Sequence, residues 1–418
     1  MYTTDAFVTP NAHARPDLSF GNAGRVIINS SGGKSGSGAD LAIDDDGNIV
    51  FAANAGGSYL VGRLKDDGTL DQSFGTEGLI SGKFAEEGSS SAYGIVIENT
   101  TGNILLTGAY SSETRPFSLA FALFDSSGQY KTDFGENGKI IIPQPEDRLA
   151  LNPQSMSVSG IGRRPIIILD GKILYVLSGY ITRLNSNGTI DQNFNQGKGF
   201  IAVIHPEYGS AAAHCLVQPE PGLILVGGSV NVNGKQTGLI ARYHETGELD
   251  TRYGCNGFVL LTELDTPSHL STLLMTEQKK LLGIGSTGDL SGLPSKGLII
   301  CLDEYGNFDP SFSNGLPLLT PPDNSREFVW YTGTTDNEGR ILATGDSMEF
   351  SDRYIPLGQF LANGAPDLDF GERTGWIRVE PAGRGEAVKV DQKGRVVVMC
   401  SSSSEVGSKL PMVVRYLR

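Results

Sequence analysis

The amino-acid sequence predicts an all-β fold, a seven-bladed β-propeller built from four-stranded blades. Three observations lead there. A phrase first met in full as "LDQSFGTEG", Leu70 to Gly78, recurs along the chain in altered spelling. Between recurrences the apolar residues fall in short β-branched runs. The two ends of the chain carry complementary parts of one repeat.

The phrase sets the period. Its aromatic residue is Phe20, Phe74, Phe134, Phe194, Tyr253, Phe312 and Phe370, at steps of 54, 60, 60, 59, 59 and 58 residues. A repeat running the length of 418 residues makes one body of a chain that would otherwise suggest several domains.

Within a unit the order is "GADLAID", a turn at Asp45 and Asp46, "NIVFAAN", "YLVGRLK", the corner "DDGTLDQSFGTEG" and then "GLISGKF". Short apolar runs bounded by Gly, Asp and Asn read as strands. No segment keeps a 3.6-residue apolar period, so helices are expected to be scarce. The strands are named A to D from the channel outward.

The ends of the chain give the closure. The last unit supplies A as "EAVKVD" (Glu386 to Asp391), B as "RVVVMC" (Arg395 to Cys400) and C as "MVVRYLR", without a D strand. The segment "GRVII", Gly24 to Ile28, follows the first copy of the phrase, where a D strand belongs. An N-terminal outer strand completing the last blade is therefore expected, and it closes the ring without an unpaired edge. The expected division is an N-terminal tail, 1–15, and a single propeller, 16–418.

A pairing inside the phrase explains its purpose. Three residues before the aromatic stands Asp17, Asp71, Asp191, Asp250, Asp309 or Asp367, and four units carry Arg63, Arg183, Arg242 or Arg415 on strand C. The second unit lacks both partners, having Lys131 and Leu123 instead, while two others keep Asp beside Cys301 or Gln359. The expectation is an Arg–Asp pair tying strand C to the corner that leads to strand D. The phrase is then structural: aromatic plug, Asx-type corner and glycine turns.

"RLKDDGTLDQSFGTEGLI" and "RLNSNGTIDQNFNQGKGF" resemble the delta-60 repeat, and hairpins such as "LAIDDDGNIVFAAN" and "VKVDQKGRVVVMC" are similar to NHL-type repeats. The resemblance covers nearly the whole chain and implies a β-propeller. It implies little about activity, since propellers host enzymes, lectins and scaffolds alike. Unit three departs most, with an insertion from Pro143 to Gly162 and a third strand following the second almost without a loop.

Composition narrows the function. A net charge of -14 and a pI near 4.9 argue against sequence-neutral nucleic-acid binding and against an anionic membrane surface. The N-terminus has no basic start followed by an apolar core, and the longest apolar stretch is broken by Asp170, Gly171 and Lys172. The location expected is cytoplasmic, or exported without a cleaved signal peptide. Cys215, Cys255, Cys301 and Cys400 show no C-x-x-C spacing and read as free thiols. A closed ring has no edge to share, so a monomer is expected.

Catalytic and metal patterns are weak. His13, His205, His214, His244 and His269 include no H-E-x-x-H, although His205, His214 and His269 fall near the starts of A strands. "DDDGN" at Asp44 to Asn48 reads better as a hairpin turn than as a calcium loop. "GGKSGSG" is not a phosphate loop, and no G-x-S-x-G occurs before a helix. Glu327, Asp346 and Glu386 stand where a channel ion would be held, without spacing that argues for one. No cofactor and no catalytic residue is assigned.

Binding is better supported. The A–B and C–D turns carry the repeated sequence at one face, while the D–A and B–C loops vary at the other, which is where a site is expected. Tyr93, Tyr208, Phe328, Trp330 and Tyr331 fall there with Arg163, Arg164, Arg326 and Glu327, joined by His214, His269 and Glu386 as candidate binding residues. Aromatics mixed with arginines and acids suit a protein or sugar surface; the alternative for Trp330 and Tyr93 is packing between blades. The function expected is a non-enzymatic scaffold engaging a protein partner through this face. A lectin-like propeller and a metal-dependent hydrolase or lyase at the channel mouth are the alternatives.

Overall fold

The computed structural model describes residues 14–29, 35–113, 117–142, 166–167, 171–177, 179–288, 295–321, 328–347, 354–403 and 409–418. These residues contain no α-helix, and no helix among them is long and apolar enough to cross a membrane.

Seven antiparallel sheets form the blades. Blade 1 runs A to D as Gly36–Ile43, Ile49–Ala55, Ser58–Leu64 and Leu79–Gly82, and blade 2 as Ser89–Ile97, Ile104–Ser111, Ser118–Phe124 and Lys139–Ile142. Blade 3 has Ile166–Ile167, Ile173–Leu177, Tyr180–Leu184 and Phe200–Ala202. Blade 4 has Ala212–Val217, Leu223–Val232, Lys235–His244 and Phe258–Leu260. Blade 5 has Ser268–Met275, Leu281–Thr287, Lys296–Leu302 and Leu318–Thr320. Blade 6 has Phe328–Thr335, Ile341–Ser347, Ile355–Phe360 and Trp376–Val379. Blade 7 has Gly383–Val390, Val396–Ser403 and Lys409–Leu417. Its fourth strand comes from the other end of the chain: Arg25–Ile27 pairs antiparallel with Met412 to Val414, and Arg15–Pro16 pairs with Tyr416 and Leu417. The expected closure is therefore present, and the sheet begins at Arg15, one residue before the expected boundary.

The core lies between blades. Ala387, Val397, Met399 and Val413 of blade 7 pack with Leu41, Phe51, Ala53 and Leu60 of blade 1 in one buried cluster. Every aromatic plug is buried, from Phe20 to Phe370.

The corner explains why the phrase needs aspartate. Oδ1 of each corner aspartate accepts the backbone N–H two residues on, at Ser19, Ser73, Asn193, Arg252, Ser311 and Asp369. That leaves Oδ2 free to take the C strand. Nε of Arg63, Arg183, Arg242 and Arg415 donates to Oδ2 of Asp71, Asp191, Asp250 and Asp17 at 2.7, 2.8, 3.0 and 2.8 Å. The same guanidinium groups lie 4.4 to 5.0 Å from the centroids of Phe20, Phe74, Phe194 and Tyr253, so each pair also clamps the plug. In the two units that keep aspartate without arginine, Gln359 Nε2 donates to Asp367 at 2.5 Å, and Cys301 Sγ lies 3.8 Å from Asp309, which also pairs with Lys280.

The corners stitch the ring. The residue after the plug donates its N–H to a carbonyl in the next blade's C–D turn: Gly21 to Asp67, Gly75 to Ser127, Gly135 to Asn187, Asn195 to Thr246, Gly254 to Tyr305 and Ser313 to Asn363. The approach demands glycine in that turn. Gly68 has φ +83°, and a Cβ there would sit 2.7 Å from the Gly21 nitrogen. Blade 7 divides its C–D corner between the two ends of the chain, and its joint to blade 6 differs. There Arg418 pairs with Asp336, approaches Gln359 and donates to the Gly394 carbonyl at 2.7 Å.

Candidate functional site at the channel mouth

Strand A ends each sheet on the inner side and pairs only with strand B. Its D–A end enters from the face carrying the variable loops. Near that end the A–B ladder is interrupted by one extra residue on strand A in six blades. The register skips at Ala39, Tyr93, His214, Ser271, Tyr331 and Glu386. In blade 3 only Ile166 and Ile167 of strand A pair among the described residues. A bulge bends the strand and re-aims a side chain, and such bulges gather beside functional sites. Four of the residues predicted from sequence, Tyr93, His214, Tyr331 and Glu386, occupy this equivalent position.

The bulges also free polar groups to bond the neighbouring blade. Ser271 Oγ donates to the Ile284 carbonyl at 3.1 Å and the Trp330 carbonyl at 3.4 Å, and Thr272 Oγ1 to the Tyr331 carbonyl at 3.3 Å. In blade 1 the residue after the bulge is Asp40, 2% exposed. It accepts the Leu41 N–H within its own strand at 2.8 Å and the Ile95 N–H of blade 2 at 3.0 Å.

The richest part of the mouth lies where blades 6, 7 and 1 meet. Glu386 is buried; its Oε1 accepts the Ser401 hydroxyl at 2.8 Å, and its Oε2 lies 3.5 Å from Arg384 Nε. Ser401 in turn accepts the Gly38 N–H of blade 1 at 3.1 Å. The Arg384 guanidinium sits over the Tyr331 ring of blade 6, 4.1 Å from its centroid. Burial foremost pushes the Glu386 carboxyl up, and the buried Asp346 adds to it, against the pull of Arg384 and Ser401. Glu386 thus holds its proton more tightly than an ordinary glutamate, beside a guanidinium and an aromatic ring.

The remaining predicted residues scatter. Tyr93 is half-buried and stacks on Phe117, with centroids 6.3 Å apart. His269 lies opposite Ser286 in blade 5, with Nε2 3.2 Å from its hydroxyl oxygen, and burial pushes the imidazole down to about 4. Tyr208 belongs to a hairpin between blades 3 and 4, Ile204–His205 with Gly209–Ser210, where it stacks on His205 with centroids 4.8 Å apart. Trp330 is fully buried, its Nε1 donating to Thr320 Oγ1 at 2.7 Å, so it packs between blades 5 and 6 and offers no surface to a ligand. Arg163, Arg164, Arg326 and Glu327 lie outside the described residues. The sequence groups Arg384 with Arg163 and Arg164 as a local basic feature and does not join it to Ser401, because only the A–B register brings those two together.

No group of three or more His, Cys, Asp or Glu side chains that could hold a metal ion occurs among the described residues. Cys215, beside His214, is buried, and burial pushes its thiol far up, away from a nucleophile's range.

A family model described as a domain of unknown function (DUF5122) β-propeller matches residues 222–253, from the B strand of blade 4 to Tyr253. No curated protein matches the chain. Among solved structures, the polysaccharide lyase Uly1 is similar at 12% identity over 91% of this chain and 90% of that one, with a TM-score of 0.49. A catalytically inactive virginiamycin B lyase from Staphylococcus aureus with quinupristin is similar at 10% identity, covering 79% and 97%, with a TM-score of 0.45. Drosophila plexin A in complex with semaphorin 1b is similar at 8% identity, covering 96% and 88%, with a TM-score of 0.43. Likeness at this level says nothing of activity.

Proposed function

We propose that this chain is a propeller of the delta-60 type that binds a protein partner at the channel mouth on its variable face. One observation carries the reading. A single backbone device, the A-strand bulge, carries five residue types over six blades: Ala39, His214, Ser271 and Glu386, which are buried, and Tyr93 and Tyr331, which are half-buried. The corner phrase, in contrast, keeps a buried aromatic in all seven units and its aspartate in six. A scaffold that repeats while one ring of positions diversifies supports recognition of an asymmetric surface. The two tyrosines, with Arg384 stacked over Tyr331, are residues that anchor such contacts.

Affinity capture from the host's extract, quantified by mass spectrometry, tests this. A Tyr93→Ala/Tyr331→Ala chain is compared with the wild type and with a Tyr305→Asn chain altered on the opposite face. A protein recovered by the wild type and by Tyr305→Asn, and lost with the mouth variant, supports the reading. Equal recovery by all three chains overturns it.

The raised Glu386 carboxyl beside Asp346 favours a second reading, an acid–base hydrolase or lyase in the same mouth. Turnover abolished by Glu386→Gln, without loss of folding, would support it over pure binding.

A further inference from the structure

Two departures from the repeat meet in one groove. The corner plug is phenylalanine at Phe20, Phe74, Phe134, Phe194, Phe312 and Phe370, but tyrosine at Tyr253. The third residue of the C–D turn is Asp67, Ser127, Asn187, Thr246 or Asn363, but tyrosine at Tyr305. Because each corner docks on the next blade's turn, with Gly254 N donating to the Tyr305 carbonyl at 2.8 Å, both tyrosines belong to the joint of blades 4 and 5. A cavity of about 270 Å³ opens there, and both line it.

The Tyr253 hydroxyl is the informative atom. Tyr253 is 1% exposed, and its hydroxyl has no hydrogen-bond partner among the described residues. The other corners manage with phenylalanine, so this phenol is a desolvation cost without return unless a bound group pairs with it. Tyr305 is the opposite case, a ring left 61% exposed at the rim.

The chemistry of the walls selects the ligand. Arg242, Arg252 and Lys279 stand against Glu220, Asp250, Asp303 and Glu304, and both arginines are already bonded to Asp250. Charges so nearly balanced attract neither an anion nor a cation; they offer donors and acceptors. Tyrosine adds a flat apolar face with a hydroxyl at its edge. The volume falls below the roughly 300–1,000 Å³ of drug-sized pockets, which suits one ring rather than a long chain. We propose that the groove between blades 4 and 5 binds a neutral sugar residue, with Tyr305 as its platform and the Tyr253 hydroxyl as its buried hydrogen-bond partner. The groove is formed by turns of the face opposite the bulged mouth, so it stands or falls independently of the partner-binding reading.

Saturation-transfer NMR with a panel of methyl glycosides (hexoses, pentoses and N-acetylhexosamines, at millimolar concentration) provides the test. The chains are wild type, Tyr253→Phe and Tyr305→Asn; each variant installs the residue that other repeats use, so both are expected to fold. The expected result is transfer to at least one glycoside by the wild type and about tenfold weaker binding by each variant. Tyr253→Phe should melt no lower than wild type. Silence of the whole panel with wild-type protein overturns the proposal and leaves water as the partner of Tyr253. Equal binding by wild type and both variants overturns it as well.

Discussion

Arg183 and Asp191 close the corner of blade 3 with both side chains almost out of solvent, 5% and 1% exposed, and 2.8 Å between Nε and Oδ2. Arg183 also donates to the Glu245 carbonyl of blade 4 at 2.7 Å, so one guanidinium serves its own corner and the next blade. Burial alone would raise the Asp191 carboxyl; the Asn193 N–H, Lys172 and Arg183 outweigh it and hold the carboxyl below its usual range.

Arg183→Ala strands that carboxylate and should cost about 3 kcal/mol, near the low end for breaking a buried pair because Lys172 stays 3.0 Å away. Arg183→Ala/Asp191→Asn removes the stranded charge while keeping the Asn193 cap. It should cost less than the single change. Urea denaturation midpoints of the two variants decide the order, and a single variant with wild-type stability would refute the role of the pair.

Ser401→Ala removes the hydroxyl that joins Gly38 of blade 1 to Glu386 of blade 7. Two buried groups lose a partner, for about 1–3 kcal/mol. The Glu386 carboxyl should also titrate higher, because the lost donor favoured its charged form. Carboxyl carbon shifts followed by NMR across acid pH measure this directly.

His269 gives the fold an acid-sensitive range. In the unfolded chain its imidazole takes a proton near its ordinary value of 6.5, while in the folded chain it stays neutral down to about 4. Between these values the unfolded state binds more protons, so stability is lost as pH falls from 6.5 toward 4. His269→Gln should flatten that part of the denaturation-midpoint profile, and an unchanged slope would count against it.

The thiols should separate by burial. Cys255 is exposed, whereas Cys215, Cys301 and Cys400 are buried, with Cys301 pushed up to about 12 by burial and by Asp309. A maleimide is expected to label Cys255 in the native protein and the other three after denaturation, as read by intact mass. Rapid native labelling of Cys400, which packs against Leu342, Ile355 and Leu357, would mean that the joint of blades 6 and 7 opens.

Much of the scaffold was legible because each unit checks the others. The Arg–Asp pair could be read from residues that appear together and, at Leu123 and Lys131, vanish together. The closing strand could be read from a unit divided between the chain ends. The mouth was legible only in part. A bulge is a property of register between two strands, and nothing in "SAYGIV" or "RGEAVK" marks the skipped residue. Tyr93, His214, Tyr331 and Glu386 can be singled out by residue type, but not by their shared backbone position. For Trp330 the sequence leaves packing and binding both open for a related reason: an aromatic on a half-buried strand points to the core or to the mouth according to that same register. Tyr208 lies in a hairpin that interrupts the repeat, where no other unit offers a comparison.

The one-way stitching of corner to following turn has a consequence for how such a ring can change in evolution. Gly21, Gly75, Gly135, Asn195, Gly254 and Ser313 all present the same donor, and the acceptors are backbone carbonyls, which any sequence supplies. These joints do not identify their neighbour, so a duplicated or exchanged internal unit would meet compatible connectors on both sides. The joint of Arg418 with Asp336 is different, since it is written in side chains. The corner connectors of the internal blades are thus interchangeable, while the seam between blades 6 and 7 carries an address at that place.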